Sequence, residues 1–194
     1  MKRQKEKENG ETMQKVSFFS SLKMKIALMI IGGALFTALV LLCIVVPKTE
    51  KLIKGETRNY MYDIASSNGT VMESIAKVGK LADQEVLKNA FAKVGVKGIK
   101  SSYAYIVAAD GTMMYHPTAE KIGKPVENTV VKGVVKEIQN GKRPETAVVG
   151  YEFDGKTKYA AYYVNMDKSG ILVISADEEE IMQPISEIIR TSII

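Results

Sequence analysis

One histidine, one cysteine and nine tyrosines set the chemical repertoire of this 194-residue chain. His116 has no second histidine to join, and Cys43 lies inside an apolar run, so no spacing here assembles a metal-ligand set. No Gly-x-Ser-x-Gly elbow surrounds any serine, which removes the usual nucleophile partner for His116. Gly123 and Gly133 stand isolated, so there is no glycine-rich phosphate loop either. No enzyme and no cofactor are expected. What the chain does offer is tyrosine on apparent strands: Tyr103, Tyr105, Tyr115, Tyr151, Tyr159, Tyr162 and Tyr163. A tyrosine combines apolar area with one hydroxyl, which suits a small site that orients a polar solute. Half-buried sheet packing accounts for any one of them taken alone. Solvated surface charge does the same for Lys121, Lys124, Arg143 and Lys158.

The stretch that positions these groups is 103–117, YAYIVAADGTMMYHP. Tyr103, Tyr105 and Val107 alternate with Ala104, Ile106 and Ala108. Asp110-Gly111 then supplies the positive-φ positions of a two-residue hairpin turn, and 112–115 runs back. His116-Pro117 ends the second strand, and a Gly- and Lys-bearing loop at 121–125 precedes a helical pattern from Glu127. Period-two geometry puts Tyr103 and Tyr105 on one face. It also puts Tyr159 and Tyr163 on a common face, with Tyr162 opposite.

The order of strand, Asp-Gly turn, strand, His-Pro, then Ile-Gly-Lys-Pro-Val and a short helix resembles the extracytoplasmic single Cache sensor domains of bacterial transmembrane receptors, methyl-accepting chemotaxis receptors above all. The resemblance covers roughly residues 47–185 and includes a long helix before the hairpin and a three-strand meander after it. It implies a PAS-like α+β fold whose ligand lies on one side of the sheet, beneath the loop and helix inserted at 121–139. The polar groups near that place are Tyr103, Tyr105, His116, Lys121, Tyr151 and Tyr162. Hydroxyls, a histidine and a lysine with no carboxylate placed among them suit a small anion, since each can donate to a carboxylate oxygen. A short organic acid is therefore favoured over a free amino acid, whose ammonium needs an acidic partner. The aromatic, aspartate and arginine pattern of amine-recognising Cache domains is not visible here. Neutral nucleobases stay open.

Charge and hydropathy fix the setting. The net charge is +5, but seven basic residues against three acidic ones before Ile26 carry four of those five charges. The remainder is nearly neutral, and no nucleic-acid partner is expected. Residues 1–25 read as a cytoplasmic tail. Residues 26–46 form 21 positions without a charge, enough at 1.5 Å per residue to cross a hydrocarbon core of about 30 Å. That run is longer than a signal-peptide core and no small-x-small cleavage site follows it. Leu42 before Cys43 also argues against lipoprotein processing. The basic flank places the N-terminus inside and the domain at 47–190 outside the cell membrane. One cysteine allows no internal disulfide, so packing alone must hold the domain.

From Lys48 to about Phe91 a stripe of Ile53, Tyr60, Ile64, Val71, Ile75, Val78, Ala82 and Val86 predicts one long amphipathic helix, with a polar break or kink at 66–70. Its membrane-proximal part (Ile53, Tyr60, Ile64) is expected to be the seam of a homodimer. A helix is expected at 127–139, and strands at 146–153, 156–165 and 171–176, the first two joined by Asp154-Gly155. That makes five strands, mainly antiparallel, with a long leading helix: an α+β domain. Asp177 with Glu180 reads as a capping box for a last helix. Residues 191–194 read as the start of a second membrane span. Together these features predict the ligand-binding sensor part of a chemoreceptor that signals inward by helix displacement. The alternative is a membrane-anchored scaffold or protein-interaction module without a small-molecule ligand.

Overall fold

The computed structural model describes residues 22–192, so most of the predicted tail and the apolar Ile193-Ile194 lie outside the described residues. The chain divides into two units, Met1–Pro47 and Lys48–Ile194. In the first, helix α1 (Leu22–Val40) is followed by a π-helical turn at Leu41–Val45. None of its residues is buried by protein, and Leu28, Ile31, Leu35, Phe36 and Leu39 are all more than half exposed. The helical run that contains it is the only one among the described residues long and apolar enough to cross a membrane.

The second unit begins within α2 (Val46–Lys77) and continues with α3 (Gln84–Phe91), then β1 (Tyr103–Ala108) and β2 (Met113–Tyr115). Helix α4 (Thr129–Gln139), β3 (Ala147–Phe153), β4 (Lys156–Val164), β5 (Gly170–Asp177) and α5 (Glu178–Ser192) complete it. The five strands form one antiparallel sheet in the order β2-β1-β5-β4-β3. The expected α+β class and strand number are what the chain adopts.

Period-two alternation sends each strand's side chains to two different cores. On one face Ala104, Ile106, Tyr159, Ala161, Leu172, Ile174 and Ala176 meet the buried stripe of α2 together with Leu87 and Phe91 of α3. On the other, Tyr105, Val107, Ala160, Val164, Ile171 and Val173 meet Val131, Val134, Val135 and Ile138 of α4. Central β5 is buried from Gly170 to Ala176, as a strand covered on both faces must be.

Several local expectations need correction. The long helix does not run to Phe91. It stops at Lys77, Gly79 turns the chain at φ +69°, and Asp83 starts α3 by accepting from the Glu85 and Val86 amides. It also does not break at 66–70. Asn68 and Thr70 fold their side chains back on the carbonyls of Ile64 and Ser67, and the helix continues. The buried positions are Met61, Ile64, Ala65, Gly69, Met72 and Ile75, whereas Tyr60, Val71 and Val78 face solvent. Methionine, alanine and glycine carry the packing face, so a stripe read from Ile, Val and Tyr drifted off it. Ile64 is core and Ile53 packs against that core, which removes both from the expected dimer seam. The first hairpin has a longer loop than two residues, because Ala108 and Thr112 close it and a bulge falls between Ile106 and Val107. Asp154-Gly155 is the two-residue turn expected, with φ of 50° and 73°. Glu180 does not cap its own helix; its carboxylate accepts from the Lys100 and Ser101 amides instead.

Candidate functional site

A cavity of about 40 Å³ opens on the α4 face of the sheet, lined by groups from four places in the chain. Strand β1 contributes Tyr103 and Tyr105, two residues apart on one face, with ring centres 6.0 Å apart. The end of β2 brings His116 edge-on to Tyr103 at 5.1 Å and to within 5.8 Å of Tyr105. The β3–β4 hairpin pairs Tyr151 with Lys158 and Phe153 with Lys156, so Tyr151, Phe153 and Lys158 reach the cavity from the far side. The segment between β2 and α4 closes it with Lys121, Val126, Glu127 and Asn128.

The polar groups here are held in defined states. Tyr105 is 4 % exposed, and burial pushes its hydroxyl well above the usual tyrosine range. Asn128 donates to the Tyr105 hydroxyl oxygen at 3.0 Å, while its own Oδ1 caps α4 through the Val130 and Val131 amides. His116 Nδ1 accepts from the Thr118 amide at 2.9 Å, which puts the proton of the neutral ring on Nε2. Burial first, and the Lys121 charge second, hold the His116 pKa below its ordinary value. Tyr151 shares a 3.3 Å hydrogen bond with Ser175, and burial raises its hydroxyl too. Lys158 pairs with Asp177 at 2.5 Å. Burial pulls its ammonium down, but the Asp177 contacts more than offset that and the net direction is up. Lys121 and Glu127, 3.1 Å apart, form an exposed ion pair at the rim, and Lys121 also stands 5.5 Å from the centre of the Phe153 ring.

Five of the six expected site residues, Tyr103, Tyr105, His116, Lys121 and Tyr151, therefore line one cavity. Tyr162 does not. It lies on the same sheet face but packs into the apolar cluster beside α4. Tyr159 and Tyr163 face the opposite way, with hydroxyls on Glu178 and Glu73. The expectation of no nearby carboxylate fails as well, because Glu127 is a lining residue and Asp177 holds Lys158. Sequence reasoning passes over Asn128 and Phe153 and reads Lys158 as solvated surface charge, although it lines the cavity. The signals were present: Asn128 is an N-cap type directly before an apolar helix, and counting outward from Asp154-Gly155 pairs Tyr151 with Lys158. Among the described residues no group of His, Cys, Asp or Glu is arranged to hold a metal ion.

No family model matches the chain, and neither does any curated protein. Among solved structures it is similar to a methyl-accepting chemotaxis protein from Vibrio parahaemolyticus RIMD 2210633, at 12% identity and TM-score 0.49 over 70% of this chain and 98% of that one. It is also similar to the periplasmic sensory domain of the Campylobacter jejuni chemoreceptor Tlp1, at 20% identity and TM-score 0.40 over 52% of this chain. A third is the ligand-binding domain of Mlp24 with asparagine, at 18% identity and TM-score 0.38 over 52% of this chain. The chain spans 36% and 37% of the lengths of these last two.

Proposed function

We propose that this chain is the sensor region of a transmembrane receptor, of the chemoreceptor kind, whose extracytoplasmic domain binds a short organic acid in the cavity beneath α4. The observation that carries the reading is the donor character of the cavity wall. His116 presents Nε2–H, Tyr105 presents a hydroxyl that burial keeps protonated, and the Lys121 and Lys158 ammoniums stand in the wall beside their carboxylate partners Glu127 and Asp177, with N–H groups left to donate. A carboxylate can accept from all of them, and charged hydrogen bonds of this kind are the stronger ones. About 40 Å³ is room for roughly three water-sized groups, which favours the smallest carboxylates.

The apolar run at 26–46 anchors the chain with its basic flank inside, and the domain outside signals inward by displacing the helices at its two ends. Binding does this only if the acid prefers one helix arrangement over the other. The receptor works as a homodimer through the exposed side of α2, which carries Tyr60 and Val71. The test is titration calorimetry of the full chain in nanodiscs with a panel of short monocarboxylates, repeated on His116→Ala, Tyr105→Phe and Lys121→Ala. Each substitution should weaken the bound acid by about 1.5–3 kcal/mol, the scale of a hydrogen bond to a charged group. An acid that binds while all three variants match the parent chain puts the pocket elsewhere. No heat from any acid, amino acid or nucleobase returns the scaffold reading.

A further inference from the structure

Asn128 is 5 % exposed and makes hydrogen bonds with both ends of its amide. Its Oδ1 accepts from the Val130 amide at 2.9 Å and the Val131 amide at 3.3 Å, so a flip would set an NH2 against two N–H donors. The amide orientation is thereby fixed, and Nδ2 must be what faces Tyr105. The Tyr105 oxygen is then the acceptor of that bond, and its single proton has to go elsewhere. No other hydrogen-bond partner for this hydroxyl exists among the described residues, and Tyr105 forms part of the cavity wall. From these contacts we infer that Asn128 is a specificity-determining positioning residue: by occupying the Tyr105 oxygen it makes that hydroxyl an obligatory donor, so the cavity selects solutes that present an acceptor and rejects those that present N–H. The inference rests on the reading of this cavity as the ligand site. The start of α4 and the polarity of the site are then set by one side chain, since the oxygen that caps the helix is what aims the nitrogen at Tyr105.

The substitution that separates these roles is Asn128→Asp. Aspartate caps a helix as well as asparagine does and its charge suits the helix N-terminus, so α4 should keep its start. The new carboxylate cannot donate, however, and Tyr105 will turn its proton toward it. The probes are acetate and acetamide, which have nearly the same size; if the panel finds another acid, that acid and its primary amide replace them. Affinities are measured by calorimetry on the full chain in nanodiscs. The acetate-to-acetamide affinity ratio should fall at least tenfold in Asn128→Asp, with the melting temperature within a few degrees of the parent. Loosening of the fold would lower both affinities together and leave the ratio alone. Plain charge repulsion is distinguished by Tyr105→Phe: in that background Asn128→Asp should change the ratio less than twofold if it acts through the hydroxyl. An equal change with and without the hydroxyl overturns the inference. If Asn128→Asp does not fold, Asn128→Ser keeps the cap and removes the amide, and the ratio should fall about threefold; an unchanged ratio overturns the inference. Absence of binding by every acid in the parent chain overturns the cavity reading itself. An acid that binds the parent with an unmoved ratio in the variant overturns only the role of Asn128.

Discussion

Alanine at Gly69 and at Gly133 should move stability in opposite directions, although both glycines sit inside helices. A Cβ built on Gly69 falls 2.5 Å from Cγ of Tyr163 and 2.6 Å from both Cδ atoms. Ordinary carbon contact is about 3.5–4.0 Å, so the ring or the helix must give by about 1 Å. The ring has little room to give: its hydroxyl is bonded to Glu73, the Arg143 guanidinium lies 5.5 Å from its centre, and its backbone is paired with Leu172 of β5. Overpacking of this kind costs about 1–3 kcal/mol. Helix propensity returns about 1 kcal/mol; with the ring held as it is, the overpacking falls in the upper part of that range, about 2–3 kcal/mol, and the net loss should be about 1–2 kcal/mol. At Gly133 on α4 nothing lies within 4 Å of the added carbon, and only the propensity gain remains, about 0.5–1 kcal/mol. For a domain of this size those values correspond to melting shifts of about 3–8 °C down for Gly69→Ala and about 1–4 °C up for Gly133→Ala. Paired thermal melts of the full chain in detergent read both. The reasoning is refuted if Gly69→Ala melts at or above the parent. It is also refuted if Gly69→Ala still destabilises when Tyr163 has been replaced by alanine, since the clash is then gone.

Other outcomes are as specific. His116 has a depressed folded pKa, so the unfolded chain binds the extra proton first as pH falls. Its contribution to stability is complete above the unfolded value near 6.5 and shrinks as pH drops from there toward the folded value. The groups facing the ring are Tyr103, Tyr105, Lys121, Glu127 and the Thr118 amide; burial holds the Tyr105 hydroxyl up and the hydrogen bond from Lys121 holds the Glu127 carboxyl down, so both move away from that window. Denaturation midpoints should therefore rise with pH just below 6.5 in the parent and be flat there in His116→Gln; equal slopes refute this. Asp177→Asn removes the partner of a mostly buried lysine and should cost about 1–3 kcal/mol by urea denaturation. The same change frees the Lys158 ammonium and should tighten a bound acid several-fold, and unchanged or weaker binding counts against Lys158 as a ligand group. Tyr162→Phe should leave acid affinity within twofold, because that hydroxyl is outside the cavity; a larger loss on calorimetry places the site differently.

The sheet was legible because its signals are local. Alternation placed β1 and β4, and Asp154-Gly155 located its hairpin to the residue. The α2 face was not, because glycine and methionine carry it, and what makes Gly69 a packing residue is a tyrosine 94 positions away whose ring seats on it. Glu180 likewise looked like a cap at short range, and only the fold reveals that its partners are the amides of Lys100 and Ser101. Within the site, tyrosines on one strand could be grouped by parity alone. Tyr162 has the right parity and is even level with Tyr105, both being opposite Val173, but β5 lies between their strands and Tyr162 packs into the apolar cluster beside α4 instead. Lys158 looked like surface charge because its partner, Asp177, belongs to the adjacent strand and seemed engaged in starting α5.

The place of β5 in the sheet bears on how this domain is made. It is the last strand among the described residues but lies between β1 and β4, and the backbones of the two hairpins are joined into one sheet only through it. Each hairpin closes over a short loop, whereas joining them pairs Tyr103 with Ser175 across more than seventy residues. Local pairs form early and such distant ones late, because the loop must be ordered before the contact rewards it. Until residues 170–177 have been synthesised, no strand joins the two ribbons into one sheet, which on the proposed extracytoplasmic placement would keep the domain open until it has crossed the bilayer. Chains stopped just before Gly170 should accordingly be cut rapidly by protease throughout residues 103–164, while chains that extend past Asp177 should resist.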